Sequence, residues 1–178
     1  MKHHLNIIIL ALRAAITFAT GMVLYYFGTA YRLITQNDPA LLKGFFANYF
    51  TPLYHNTIDG NTIWLGTAFC IAYGLLLIYI IIGITCFYRC LLRIEKGKMF
   101  YHTQGNQFRR AGSTFIIFAK VKYVLFVATG ALLYFDVKIF FTEIPAFLAL
   151  YLIGKLILVM SHMAEKGEFI KEENELTI

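Results

Sequence analysis

The chain has 178 residues, of which 59% are hydrophobic and only 15% charged, and its formal net charge is +6. Its mean hydropathy is +0.65. A soluble domain of this size exposes more surface than so few charges can cover, so this composition excludes a soluble enzyme, and it equally excludes a disordered chain. It predicts an all-α membrane protein that crosses the bilayer several times.

Four apolar stretches are each long enough to cross a bilayer, for which a helix needs about 20 residues. They predict a single membrane domain built as a bundle of four transmembrane helices. Arg13 splits the first apolar run and no clean small-residue cleavage site follows it, so we expect an uncleaved span rather than a signal peptide. The predicted spans cover residues 5–31, 63–88, 113–135 and 140–164.

Residues 32–62 form the predicted outer loop. Asp38 can cap a helix that has Pro39 at its first position. Residues 40–50 then carry Leu, Phe and Tyr side chains at helical spacing, which predicts a short helix lying in the membrane interface. Such a helix is an interfacial anchor or, alternatively, a lid that contacts a ligand.

The loop charges predict the orientation. Residues 89–112 hold six Lys and Arg residues and one Glu, whereas residues 32–62 hold only two basic residues. An excess of positive charge is typical of cytoplasmic loops. We therefore expect loop 89–112, the N terminus and the tail 165–178 to face the cytoplasm. Because the basic residues border spans, they indicate topology, and no direct binding of nucleic acid is expected.

The sequence carries no motif of a known catalytic or metal site. It has no HExxH, GxSxG or phosphate-binding loop sequence. Cys86 and Cys90 are one helical turn apart, but two thiols do not complete the four ligands of a structural zinc site. We therefore expect a non-enzymatic protein without a cofactor or a metal.

Positive charges inside the spans are the most informative feature. Arg13, Lys120 and Lys155 are each predicted to lie about 12–14 Å inside the cytoplasmic edge of the bilayer, with no acidic residue at that depth. One hypothesis is a basic pocket that binds an anionic lipid head group, a small anionic ligand or the acidic tail. The alternative is that each side chain extends separately to the interface. The candidate anion-binding or lipid-binding residues are Arg13, Lys120, Lys122, Lys155 and His162.

Small residues recur every fourth position on the first two spans. This spacing allows close approach of helix backbones. It indicates contacts within the bundle, and a homo-oligomer interface is the alternative. The two sets are Ala11, Ala15 and Ala19, and Gly66, Cys70 and Gly74.

The tail 165–178 contains five glutamates and two lysines. Its apolar residues Phe169, Ile170 and Leu176 could form one face of a helix. The functional interpretation is docking onto loop 89–112 or onto a cytosolic partner. The alternative is a solvated tail.

Two segments resemble a known family. Residues 94–100 read Ile-Glu-Lys-Gly-Lys-Met-Phe and are followed by Asn106 and by Phe-Arg-Arg-Ala-Gly at 108–112, while residues 172–178 read Glu-Glu-Asn-Glu-Leu-Thr-Ile. These segments resemble the middle loop and the tail of DUF2975, a bacterial membrane family of unknown function. The resemblance implies four spans over nearly the whole chain, although the outer loop does not match. Family members are often encoded beside a small helix-turn-helix regulator, which implies a regulatory role.

Together these features predict a non-enzymatic protein of the bacterial inner membrane, surrounded by lipid, that binds a cytosolic regulator through loop 89–112 and the tail. The alternative is a small transporter or a protein that binds an anionic lipid or ligand in the basic pocket. The candidate partner-binding residues are Gly97, Phe100, Arg109, Arg110, Glu172, Glu173, Asn174 and Leu176.

Overall fold

The computed structural model describes residues 2–36, 60–95, 103–134 and 138–176, and these residues are almost entirely helical, which confirms the all-α prediction. The interfacial helix predicted at 40–50 lies outside the described residues. The helices are α1 (Lys2–Gln36), α2 (Gly60–Glu95), α3 (Gln104–Thr129), α4 (Lys138–Thr142) and α5 (Ile144–Leu176), and α3 continues into a π-helical segment, Gly130–Tyr134.

Four stretches of these helices are long and apolar enough to cross a membrane, as predicted: His4–Gln36, Ile63–Glu95, Gln104–Leu132 and Lys138–Ile170. They run beyond the spans predicted from apolarity, because backbone hydrogen bonds continue into polar residues after the apolar run ends. The fourth stretch combines α4 and α5. Pro145 lies in the first turn of the last helix, where its missing N–H has the smallest cost.

The helices pack in series. α2 packs against both α1 and α3, and α3 packs against both α2 and α5, so that α1 and α5 lie at the two edges of the array. Half of the most apolar part of α2 is buried, whereas very little of α1 is. Most of the apolar surface of α1 is therefore available to lipid.

Aromatic rings join the first three long helices. The ring of Tyr26 on α1 meets that of Tyr73 on α2 edge to face, with 4.7 Å between centroids. Phe126 on α3 lies 5.3 Å from both Phe69 and Tyr73 of α2. All four rings are buried. Such edge-to-face contacts add about 0.5–1.5 kcal/mol each beyond the burial of apolar area.

Small residues mark the closest approaches between helices. A Cβ atom placed on Gly112 of α3 would lie 2.9 Å from the backbone oxygen of Gly154 on α5, so these two helices cross with their backbones in contact. On α2, Gly66, Cys70 and Gly74 are buried, which fits the predicted role of this stripe within the protein. On α1 the corresponding stripe is different: Ala11 and Ala15 are exposed and Ala19 is half-buried.

Neighbouring long helices are antiparallel. The N terminus of α1, the C terminus of α2, the N terminus of α3 and the C terminus of α5 therefore lie at one end of the array. We call this the inner end, because the loop charges predict that it faces the cytoplasm. The outer end carries the start of α2, the π-helical segment and α4.

Candidate functional site

The predicted basic residues occupy separate places in the array. Arg13 on α1 is exposed, and its Nε donates a hydrogen bond of 2.6 Å to the hydroxyl of Tyr88 on α2. Its guanidinium carbon also lies 5.5 Å from the centroid of the Tyr88 ring. Asn6, Thr17 and Thr20 lie within about 60° of Arg13 around the helix axis, so the four residues form a polar stripe on α1, and these three are likewise exposed. The polar stripe of α1 therefore points away from the packed interior.

The crossing of α3 and α5 places Lys120 and Lys155 at different levels. Relative to Gly112 and Gly154, Lys120 is eight residues towards the outer end and Lys155 is one residue towards the inner end. At 1.5 Å per residue, their levels differ by about 13 Å. Both are exposed, and Lys155 Nζ lies 5.6 Å from the ring centroid of Tyr151 on its own helix. The structure does not bring these two lysines together in the predicted layer.

Lys122 has an acidic partner that sequence reasoning did not assign to it. Its Nζ lies 2.5 Å from Oε2 of Glu143, the residue between α4 and α5, and only 16% and 19% of the two side chains are exposed. The same Nζ lies 4.8 Å from the ring centroid of Phe126. Glu143 was placed at the start of the fourth predicted span, but the crossing of α3 and α5 brings it level with Lys122.

The inner end of α3 is tied to α5 by a cluster of polar contacts. The buried hydroxyl of Ser161 donates a hydrogen bond of 2.7 Å to the backbone oxygen of Gly105. Arg109 Nη2 lies 2.7 Å from Glu165 Oε1, with 54% and 37% of the side chains exposed. The other Glu165 oxygen lies 3.6 Å from His162 Nδ1. Arg109, a candidate for partner binding, is therefore already engaged within the chain.

The other partner-binding candidates lie at the same end. Arg110 and Glu173 are exposed. The backbones of Glu172, Asn174 and Leu176 belong to the last turns of α5. Gly97 and Phe100 lie outside the described residues.

The end of α5 carries an exposed apolar surface that sequence periodicity only partly indicated. Phe169 and Ile170 are 61% and 56% exposed. With His162, Glu165 and Lys166 they line an open cleft of about 580 Å³. These five residues are spaced at i, i+3, i+4, i+7 and i+8, so they share one face of the helix. We call this face the tail surface.

Sequence reasoning missed three of the residues that organise these sites. Tyr88, Ser161 and Glu165 act as partners of residues on other helices, and their role depends on which helices are neighbours. Glu165 could have been noticed as the first acid after the last apolar run. Among the described residues, no group of three or more His, Cys, Asp or Glu side chains is arranged to hold a metal ion.

Comparison with known proteins gives a family for most of the chain. No curated protein and no solved structure matches it. The segments at 94–112 and 172–178, quoted above for their resemblance, both fall within the matched region. The expectation that the outer loop does not match was wrong, because the matched region begins at residue 34 and includes nearly all of loop 32–62. Residues 34–178 match the family model described as a protein of unknown function (DUF2975), and the chain therefore belongs to that family.

Proposed function

We propose that the protein is a non-enzymatic regulatory protein of the bacterial inner membrane that binds a small cytosolic helix-turn-helix protein through the tail surface. In this proposal the inner end of the array faces the cytoplasm. The observation that carries it is the exposure of Phe169 and Ile170 on a helix that extends beyond its apolar part.

The length of α5 supports the proposal. Its 33 residues span about 50 Å, whereas the apolar core of a bilayer is about 30 Å thick. The apolar run ends at Ala164, and residues 165–176 include five glutamates and two lysines. At 1.5 Å per residue, this charged part extends about 18 Å further. It is too polar to lie in the hydrocarbon, so it projects into water.

Within this charged segment, the exposed apolar residues need a physical explanation. Exposed Leu or Phe side chains within the apolar run contact lipid tails, but Phe169 lies five residues after that run ends at Ala164. Apolar side chains grouped on a projecting face are typical of a surface that packs against another molecule. The open space beside them leaves room for an apolar side chain of the partner.

The contacts at the inner end hold this surface in place. Ser161 and Glu165 connect α5 to the first turns of α3, one through a buried hydrogen bond and one through an ion pair. The tail surface begins beside these contacts, since Glu165 belongs to both. A partner bound there therefore contacts a segment fixed relative to the membrane helices.

The test is copurification with the proposed partner, a small helix-turn-helix protein of the kind that members of this family are often encoded beside. The variant Phe169→Ala/Ile170→Ala removes the apolar side chains of the tail surface, and we expect it to accumulate in membranes like the wild type but to lose the partner. The matched control is Leu156→Ala/Val159→Ala, which removes two exposed apolar side chains from the same helix inside the span. The control should keep the partner.

Two results would contradict the proposal. Retention of the partner by Phe169→Ala/Ile170→Ala would show that the tail surface does not bind it. Failure of the wild-type protein to bind the helix-turn-helix protein would remove the proposed partner itself.

A further inference from the structure

The fourth span is interrupted at Glu143, and the interruption lies beside α3. The backbone N–H of Glu143 donates to the oxygen of Ile139 over 3.1 Å, and that of Phe147 donates to the oxygen of Glu143 over 3.0 Å. Pro145 has no N–H to offer the carbonyl four residues earlier. The hydroxyl of Tyr123 on α3 donates to the oxygen of Phe140 over 3.2 Å. A side chain of α3 thus supplies a hydrogen bond to the backbone beside the interruption.

Lys122, the residue next to Tyr123, also contacts the interruption, through its charged side chain. The ammonium group of Lys122 has two described contacts: the Glu143 carboxylate at 2.5 Å and the face of the Phe126 ring at 4.8 Å from its centroid. A carboxylate and an aromatic face are both groups that attract an ammonium ion. Glu143 also lies at the N-terminal end of α5, where the helix dipole favours a negative charge.

The depth of the pair makes its charges costly without each other. Lys122 is ten residues and Glu143 eleven residues on the outer side of the Gly112–Gly154 crossing, so they lie about 15–17 Å from it. Lys122 is also nine residues inside the apolar run that begins at Ser113. A single charge in hydrocarbon is strongly unfavourable. Removing one partner of a buried pair leaves such a charge behind.

We propose that the Glu143 carboxylate and the Phe126 ring form a binding site for a primary ammonium ion, in which the side chain of Lys122 is the covalently attached occupant. The occupied site holds the interrupted fourth span against α3. When the Lys122 side chain is removed, the site accepts a free primary ammonium ion from solution. This site is separate from the tail surface and does not depend on partner binding.

The test compares the melting temperature of the purified protein with that of variants, in the presence of alkylammonium salts. Lys122→Ala should lower the Tm by roughly 5–10 °C, because it leaves Glu143 without its counter-charge. Lys122→Ala/Glu143→Gln removes both charges and should melt closer to the wild type. Lys120→Ala is the matched control, since Lys120 is exposed on the same helix two residues away.

Chemical rescue then tests the site itself. Propylammonium chloride should raise the Tm of Lys122→Ala above its value in tetramethylammonium chloride of equal ionic strength, because only the primary ammonium ion can donate hydrogen bonds to Glu143. The same salts should not distinguish the wild type, Lys120→Ala or Lys122→Ala/Glu143→Gln.

The proposal is overturned if propylammonium does not favour Lys122→Ala specifically, or if the double variant melts below the single variant. If Lys122→Ala does not accumulate in membranes, the amount of Lys122→Ala/Glu143→Gln in membranes tests the proposal instead. Recovery of the double variant supports the pair, and its absence contradicts it.

Discussion

At the scale of single residues, most threonine hydroxyls in the helices donate their hydrogen bonds to the backbone of their own helix. The buried hydroxyls of Thr67 and Thr114 donate to backbone oxygens four residues earlier on their own helices. Ser161 differs, because its hydroxyl donates to Gly105 on another helix. No buried side-chain nitrogen or oxygen among the described residues lacks a hydrogen-bond partner. Few polar side chains therefore connect one helix to another. The closest approaches between helices occur instead at glycines.

The Gly112 position tests that dependence. A Cβ atom there would lie 2.9 Å from both the Gly154 oxygen and Leu158 Cγ, so Gly112→Ala forces α3 and α5 apart. We expect it to lower the free energy of unfolding by about 1–3 kcal/mol, as overpacking generally does. Thermal unfolding in detergent measures this change.

Gly21→Ala is the matched control, because nothing lies within 4 Å of a Cβ atom at Gly21. Alanine is the better helix former by about 0.5–1 kcal/mol, so this variant should be as stable as the wild type or more so. Equal effects at the two positions would show that α3 and α5 do not meet at Gly112.

At the scale of helices, α5 is held differently at its two ends. The Lys122–Glu143 pair near its start is mostly buried, and the Arg109–Glu165 pair near its inner end is largely exposed. An exposed pair is screened by water and contributes little, whereas breaking a buried pair is costly because it leaves a charge in a poor environment. Two ion pairs of similar length thus have different energetic consequences.

This contrast predicts a small effect for Arg109→Gln. Loss of the Arg109–Glu165 ion pair should lower the free energy of unfolding by less than about 1 kcal/mol, since the pair is exposed to water and salt. Ser161→Ala, which removes the buried hydrogen bond at the same end, should cost about 1 kcal/mol. Unfolding measured at low and high salt separates the two effects, because only the Arg109 contribution should fall with salt. A loss for Arg109→Gln larger than that for Lys122→Ala would contradict this account.

At the scale of the whole molecule, hydropathy predicted the four spans because crossing a bilayer requires a long apolar helix, whatever its neighbours. It did not predict which helices are neighbours. Apolar side chains can face either lipid or protein, so the apolar residues on all sides of α1 do not show which side packs against another helix. The depth of Lys120 and Lys155 depended on where each span was taken to begin. The contact of Gly112 with Gly154 sets their actual levels, and that contact also brings Glu143 beside Lys122.

The loop charges predict the orientation of the array, and this prediction is open to direct measurement. Loop 89–112, which joins α2 to α3, contains six Lys and Arg residues, and positive charge near spans is retained on the cytoplasmic side. In a variant without Cys70, Cys86 and Cys90, a single cysteine at Asn106 should be protected from a membrane-impermeant maleimide in intact cells and react after permeabilisation. Asn106 suits this purpose because it is exposed.

A single cysteine at Asn61, near the start of α2 and therefore at the outer end, should react in intact cells. The two positions control each other, since they lie at opposite ends of the array. Labelling of Asn106→Cys in intact cells together with protection of Asn61→Cys would reverse the orientation. The tail surface would then face away from the cytoplasm, and a cytosolic regulator could not reach Phe169 and Ile170.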